Sequence, residues 1–142
     1  MASFFSRLDS ERIVGAIAAA EKRSSGEIRV HVTRRKPDDL AARAARRFHL
    51  LGMAGTRERN GVLIYIAPAV RQFRILGDVA IHAKCGEAFW TEVAAVLEGH
   101  FRKGEFTDGV VAGVERVGEV LARHFPREPS DRNELPNKVT ED

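Results

Sequence analysis

One cysteine, one tryptophan and one tyrosine stand in a chain of 142 residues. A single cysteine, Cys85, excludes an internal disulfide and suits a reducing compartment. No apolar run approaches the roughly 20 residues that a membrane-spanning helix needs. The opening residues MASFFSRLDSER carry a charge at Arg7 and lack a long apolar stretch ahead of a small-residue cleavage site. A cytoplasmic location and no membrane span are therefore expected. Gly-rich phosphate loops, nucleophile elbows and HExxH pairs are all missing, so no readily recognised catalytic motif is present. A large surplus of one charge is missing too. The net charge is +3, and residues 127–142 hold five acidic against three basic residues. The remaining excess is small for a nucleic-acid binder, and no specific nucleic-acid partner is expected. Arg43, Arg46 and Arg47 cluster near Arg34, Arg35 and Lys36. They read as a solvated helix face, or as an anion-binding surface whose affinity falls steeply with salt.

What is there is an ordinary globular balance, with 44% hydrophobic and 30% charged residues. Asp9 or Ser10 can cap a helix that carries Ile13, Ile17 and Ala20 at helical spacing. Ser24-Ser25-Gly26 ends it. Glu27 to Thr33 alternates, placing Ile28, Val30 and Val32 inward and His31 outward. Pro37-Asp38-Asp39 opens a second helix with Leu40, Ala44, Phe48 and Leu51 inward and Gly52 as its stop. Gly61 to Ile66 is almost wholly apolar, as suits a central strand covered on both faces. Pro68 turns the chain, and Gln72 to Gly77 alternates as a third strand. Two helices follow, one marked by Trp90, Ala94, Leu97 and Phe101. The other carries Val110, Val114, Val117 and Leu121, with Thr107 or Asp108 as its cap and Pro126 as its stop.

The fold class expected is α/β, in the order α-β-α-β-β-α-α: a mixed β-sheet with a parallel first pair, an antiparallel hairpin and helices on both faces. Residues 1–126 form the domain. Residues 127–142 are read as an extended or disordered C-terminal tail with little to bury. Truncation at Arg127 is expected to leave the melting temperature nearly unchanged, unless Asn133-Glu134-Leu135-Pro136 docks on the domain.

Several segments together resemble TPM domains. Ser25 to Val30 resembles their opening strand, Arg59 to Tyr65 their second, and Phe73 to Asp78 the third with its loop. Phe89-Trp90 and Asn133 to Pro136 are similar to a small, membrane-free branch of the family. Its name comes from a thylakoid-lumen phosphatase, a photosystem II repair protein and a nematode receptor modulator. The resemblance implies an α/β sandwich, divalent-metal binding in some members and acid phosphatase activity in plant members.

Carboxylates converge at one place if the hairpin pairs Ile66 with Gln72. Asn60 then falls opposite Asp78, and the parallel pair brings Glu27 to the same end, where Glu58 and His82 join them. Calcium or magnesium would prefer such oxygen ligands, and Asp78 is the leading candidate. The opposite end, with Thr33, Arg34, Arg35, Asp38 and Asp39, competes, because ligands in open α/β sheets sit beyond the carboxyl ends of parallel strands. Asp38 and Asp39 read more simply as helix-start charges. His82 and Cys85 make only half of a zinc site, so Cys85 reads as a buried or loop thiol. His49, His100 and His124 have no identifiable partners. Phe89, Trp90 and Phe101 read as core rather than as a base-stacking platform. The residues favour a non-catalytic domain that binds a divalent metal or a protein partner. The alternative is a metal-dependent acid phosphatase.

Overall fold

The structure, a computed structural model, describes residues 4, 7–129, 135 and 137–142. Helix α1 (Ser10–Glu21) begins at Asp9, whose carboxylate accepts the Arg12 N–H, and it buries Ile13, Ile17 and Ala20. Strand β1 (Glu27–Val32) follows. Helix α2 (Leu40–Leu50) is capped by Asp39, which accepts the Ala42 N–H. Gly52 then turns the chain at a φ of 77°, a region that glycine enters without steric cost. Strands β2 (Gly61–Ala67) and β3 (Gln72–Gly77) form the hairpin. Helix α3 (Val79–Arg102) bends at Gly86, and α4 (Phe106–His124) packs against it. A last strand, β4, spans Val139–Glu141.

The sheet order is β3-β2-β1-β4. β1 and β2 run parallel, Glu27 beside Gly61 and Val32 beside Ile66, as a crossover through α2 requires. β2 and β3 run antiparallel. The class and the order of the first seven elements are therefore as expected.

Three expectations need correction. Ala67, not Ile66, lies opposite Gln72, and Val62 lies opposite Gly77. Ala67 stays in the strand because the 3-10 turn Pro68–Val70 and Arg71 suffice to reverse the chain. The Asp78 N–H accordingly donates to the Gly61 carbonyl at 2.9 Å, one residue away from the expected partner.

The tail is the second correction. Val139–Glu141 pairs in parallel with Val30–Val32, the Asp142 N–H donates to the Val32 carbonyl at 3.2 Å, and the Arg34 N–H donates to the Asp142 carbonyl at 2.9 Å. A segment with few apolar residues carries no strong strand signal of its own; the exposed edge of β1 supplies the partner groups. Leu135 packs beside α2, whereas Asn133, Glu134 and Pro136 lie outside the described residues.

The third correction concerns His31, which is 1% exposed rather than turned to solvent. β1 is an interior strand, and its second face is covered as well as its first.

Two apolar clusters flank the sheet. On one side Ile28, Val30, Val62 and Ile64 meet Ile17 of α1, Leu97 of α3 and Val114 and Leu121 of α4. On the other, Leu63 and Tyr65 meet Ala44 and Phe48 of α2 and Met53. Among the described residues no helix is long and apolar enough to cross a membrane.

Candidate functional site

Two turns meet where β1 and β2 begin. The Ser24 hydroxyl accepts the Gly26 N–H at 3.1 Å, tightening the first turn. A Cβ on Gly26 would fall 2.7 Å from the δ-carbons of Leu121, so only glycine lets the turn press against α4. In the second turn Arg59 takes a left-handed φ of 53°, a conformation that costs a non-glycine residue about 1 kcal/mol. The Ser25 hydroxyl donates to Glu58 Oε2. Asn60 Nδ2 donates to Ser25 Oγ at 3.0 Å and lies 3.4 Å from Glu58 Oε2. Asn60 is 1% exposed, and its Oδ1 has no hydrogen-bond partner among the described residues.

The five residues expected at a metal site have separate fates. Glu58 and Asn60 are brought together, with Ser25 between them. Asp78 is buried at the start of α3, where Oδ1 accepts the Val79 N–H at 2.8 Å. Arg59 grips the same carboxylate with both arms of its fork, Nε to Oδ2 at 2.7 Å and Nη2 to Oδ1 at 2.9 Å. That hydrogen-bonded contact pushes the Arg59 guanidinium pKa up. His82 is half exposed on α3 and accepts the Trp90 indole N–H at 2.9 Å. Glu27 lies in a buried stripe on β1. Among the described residues, no group of three or more His, Cys, Asp or Glu side chains is placed to hold a metal ion. The oxygens of Ser25, Glu58 and Asn60 nonetheless suit a hard cation, which accepts hydroxyl, carboxylate and amide oxygens alike. Asp78 fits less well, since Arg59 already neutralises it.

The buried stripe is made by the alternate residues of β1. Glu27, Arg29 and His31 are 2%, 3% and 1% exposed. Beside them Glu21 Oε2 accepts the Ile28 N–H at 2.7 Å, replacing a strand neighbour at a point that β4 does not reach. Desolvation pushes the Glu21 carboxyl up to about 8; the Ile28 N–H opposes this and the Glu27 carboxylate adds to it. Burial likewise lowers the Arg29 guanidinium, against the pull of Glu21 and Glu27. His31 stacks on Tyr65 with ring centroids 5.4 Å apart, and its Nδ1 lies 2.7 Å from Thr140 Oγ1. Burial holds its pKa down, although Asp142 Oδ1 sits 3.2 Å from Nε2. Burial alone would raise the Asp142 carboxyl, but Thr33, His31 and Arg47 outweigh it and leave it lowered.

At the opposite end Asp39 caps α2, and Asp38, Arg35 and Lys36 are exposed. Arg47 leaves the basic cluster to meet Asp142 at 2.5 Å.

The TPM domain model matches residues 1–120. The chain belongs to the TPM domain family. The NMR structure of BA42 protein from the psychrophilic bacterium Bizionia argentinensis is 39% identical, with a TM-score of 0.90 and 100% of each chain covered. The N-terminal domain of cg2496 protein from Corynebacterium glutamicum is 17% identical, with a TM-score of 0.57. That match covers 93% of this chain and 77% of the other and shows the fold alone. No curated protein matches the chain.

In this TPM domain the residues that sequence reasoning missed are Ser25, Arg59 and Glu21. Ser25 and Arg59 lie inside the segments that resemble the family, but a serine in a turn and an arginine before a strand carry no local mark of function. Glu21 could have been suspected: it sits on the side of α1 that carries Ile13, Ile17 and Ala20.

Proposed function

We propose that this TPM domain is a binding module that takes a hard divalent cation, calcium or magnesium, where β1 and β2 begin. The observation that supports it is Asn60 Oδ1, a buried oxygen without a hydrogen-bond partner among the described residues, on the amide whose nitrogen meets the Ser25 hydroxyl and the Glu58 carboxylate. An orphaned buried acceptor costs about 1–3 kcal/mol, which a ligand can offset. Glu58 would supply charge and Ser25 a neutral oxygen, Asn60 would add a second by turning its amide oxygen toward them, and water would fill the remaining positions. Asp78 serves first as the cap of α3 and the anchor of Arg59, and joins the cation only by releasing that fork.

Calorimetry with calcium and with magnesium tests this on the wild type, Glu58→Gln and Asp78→Asn. Saturable heat for the wild type, weakened about tenfold or more by Glu58→Gln, is the expected result. Equal affinity for Glu58→Gln would move the site elsewhere. No heat for the wild type would overturn the cation and leave a protein partner as the ligand.

A metal-dependent acid phosphatase is the alternative reading. It draws on Arg59, whose side chain is 46% exposed beside the oxygen cluster and offers a cation that a phosphate can meet. A bound divalent ion would supply the further charge needed to neutralise the phosphate. Hydrolysis of an aryl phosphate, assayed at acidic and neutral pH with each metal and with EDTA, separates the two. Turnover abolished by EDTA and by Glu58→Gln supports the phosphatase; none supports the binding module.

A further inference from the structure

Beyond the carboxyl end of β2, a cavity of about 690 Å3 opens between the hairpin turn, α3 and the start of α4. Ligands in open α/β sheets sit beyond this end of the strands. The volume falls in the range of roughly 300–1,000 Å3 typical of small-molecule sites. It lies at the end of the sheet opposite Ser25, Glu58 and Asn60, so nothing said of it depends on a cation there.

We propose that this cavity binds a small amphipathic monoanion: a single carboxylate or phosphate head on an aliphatic or aromatic body. The apolar half of the wall is phenylalanine. Phe101 stands at its centre, edge-on to Phe73 at 5.7 Å, to Phe106 at 5.6 Å and to Phe4 at 6.0 Å between centroids. Rings in this arrangement form a continuous apolar surface, and each methylene buried on it contributes about 0.8 kcal/mol.

The polar half is arginine, and two of the three guanidiniums are engaged. Arg7 donates to the Gly104 carbonyl at 3.0 Å and lies 4.6 Å above the Phe106 ring. Arg102 is paired with Glu98 at 2.6 Å, which neutralises the one carboxylate on the wall. Arg71 is different. Its guanidinium makes no hydrogen bond or ion pair among the described residues. Its backbone adopts a left-handed φ of 53°, a strained state for a residue with a Cβ, which sets it at the closing corner of the turn. One free fork beside an aromatic wall suits one planar carboxylate or one phosphate, held by two parallel N–H bonds. A second charge on the ligand would find no free partner, and a cation would meet the positive rim.

The test is calorimetry at about pH 5.5, where an alkyl phosphate keeps its second proton and is a monoanion, with octanoate, octyl phosphate, the neutral octyl glucoside and inorganic phosphate, all below micellar concentration. Saturable binding of octanoate and octyl phosphate is expected, with octyl glucoside and inorganic phosphate each weaker by at least about tenfold. Loss of a charge-assisted hydrogen-bonded pair corresponds to about tenfold in affinity. Arg71→Gln should therefore weaken octanoate by about that factor, Arg71→Lys should recover part of it, and Arg74→Gln, on β3 outside this cavity, should change nothing. Thermal melts of each variant confirm that the fold is intact. Unchanged octanoate affinity in Arg71→Gln would overturn the proposal. So would octyl glucoside binding as tightly as octanoate, or inorganic phosphate binding as tightly as octyl phosphate. Binding to anionic phospholipid vesicles without saturable octanoate binding would overturn it too, in favour of a membrane surface.

Discussion

Toward α1, α3 and α4 strand β1 presents Ile28, Val30 and Val32, whereas toward α2 it presents Glu27, Arg29 and His31. Both sets are buried. The first face is closed by three helices that also pack closely on one another; a Cβ on Gly113 of α4 would come within 2.4 Å of Leu97 of α3. The second is closed by α2, by Leu135 and by the pairing of β4, and there His31 meets Thr140 and Asp142 meets Arg47. An interior strand can therefore carry two chemistries. One face supplies non-directional apolar burial. The other holds titratable groups whose cost of burial is offset only where a partner is in place.

The largest test of this contrast is on the apolar face. Ile64→Ala, at a fully buried position, should lose about 2–5 kcal/mol in chemical denaturation, since the cavity cannot collapse between the sheet and the helices. A loss under about 1 kcal/mol would show that this face is loosely packed.

Removal of residues 135–142 should follow at about 2 kcal/mol, because it deletes β4, the Leu135 contact and the Arg47–Asp142 pair together. An unchanged melting temperature would show that the second face closes without the tail.

The pH dependence of stability sharpens the comparison further. Folded Glu21 holds its proton to about 8, against an ordinary value of 4.5. The folded state thus binds a proton that the unfolded state has released. Stability from this group is whole below 4.5 and falls as pH rises towards 8, at no more than about 1.4 kcal/mol per pH unit for one proton. Glu21→Gln should flatten that decline; an unaltered profile would remove Glu21 as its source. His31 works in the opposite sense. Its folded pKa lies below 6.5, so its stability is present above that pH and is lost as pH falls below it.

The smallest effect is expected from Asp142→Asn, about 1 kcal/mol or less, because the carboxylate is still 21% exposed. Its stability is present above the ordinary carboxyl value of 3.8 and lost as pH falls through the lowered folded one, so wild type and variant should converge in acid. A gap that persists there would point to packing rather than charge.

Much of the scaffold was legible because its signals are local. Asp9 and Asp39 cap helices because a short carboxylate ahead of an apolar repeat accepts first-turn N–H groups wherever it occurs. The apolar run of β2 announced burial on both faces, and the length of α2 required a parallel crossover. The site was less legible. Asn60 and Glu58 were named for their chemistry, yet whether a carboxylate is available depends on its neighbours. Asp78 was expected to lead a cation site, and its carboxylate is held by Arg59. That outcome follows from a one-residue change in register and a left-handed turn at Arg59, neither of which is written in a local pattern.

The sequence by itself determined the first seven elements, the parallel β1–β2 and antiparallel β2–β3 pairings and the family, because hydrophobic period, capping residues and loop length act over a few residues. Only the tertiary structure decided what long-range contact controls. Strand β4 exists because the edge of β1 offers hydrogen bonds that the segment from Val139 cannot make for itself. Glu27, Arg29 and His31 are buried although alternation alone would leave their face to solvent; Tyr65 and the tail residues Thr140 and Asp142 cover His31. The phenylalanine-walled cavity arises where α3, α4 and the hairpin turn converge, which brings together Phe73, Phe101 and Arg71. Such convergence depends on how whole elements pack, and the residues that meet there are too far apart in the chain for any local pattern to record it.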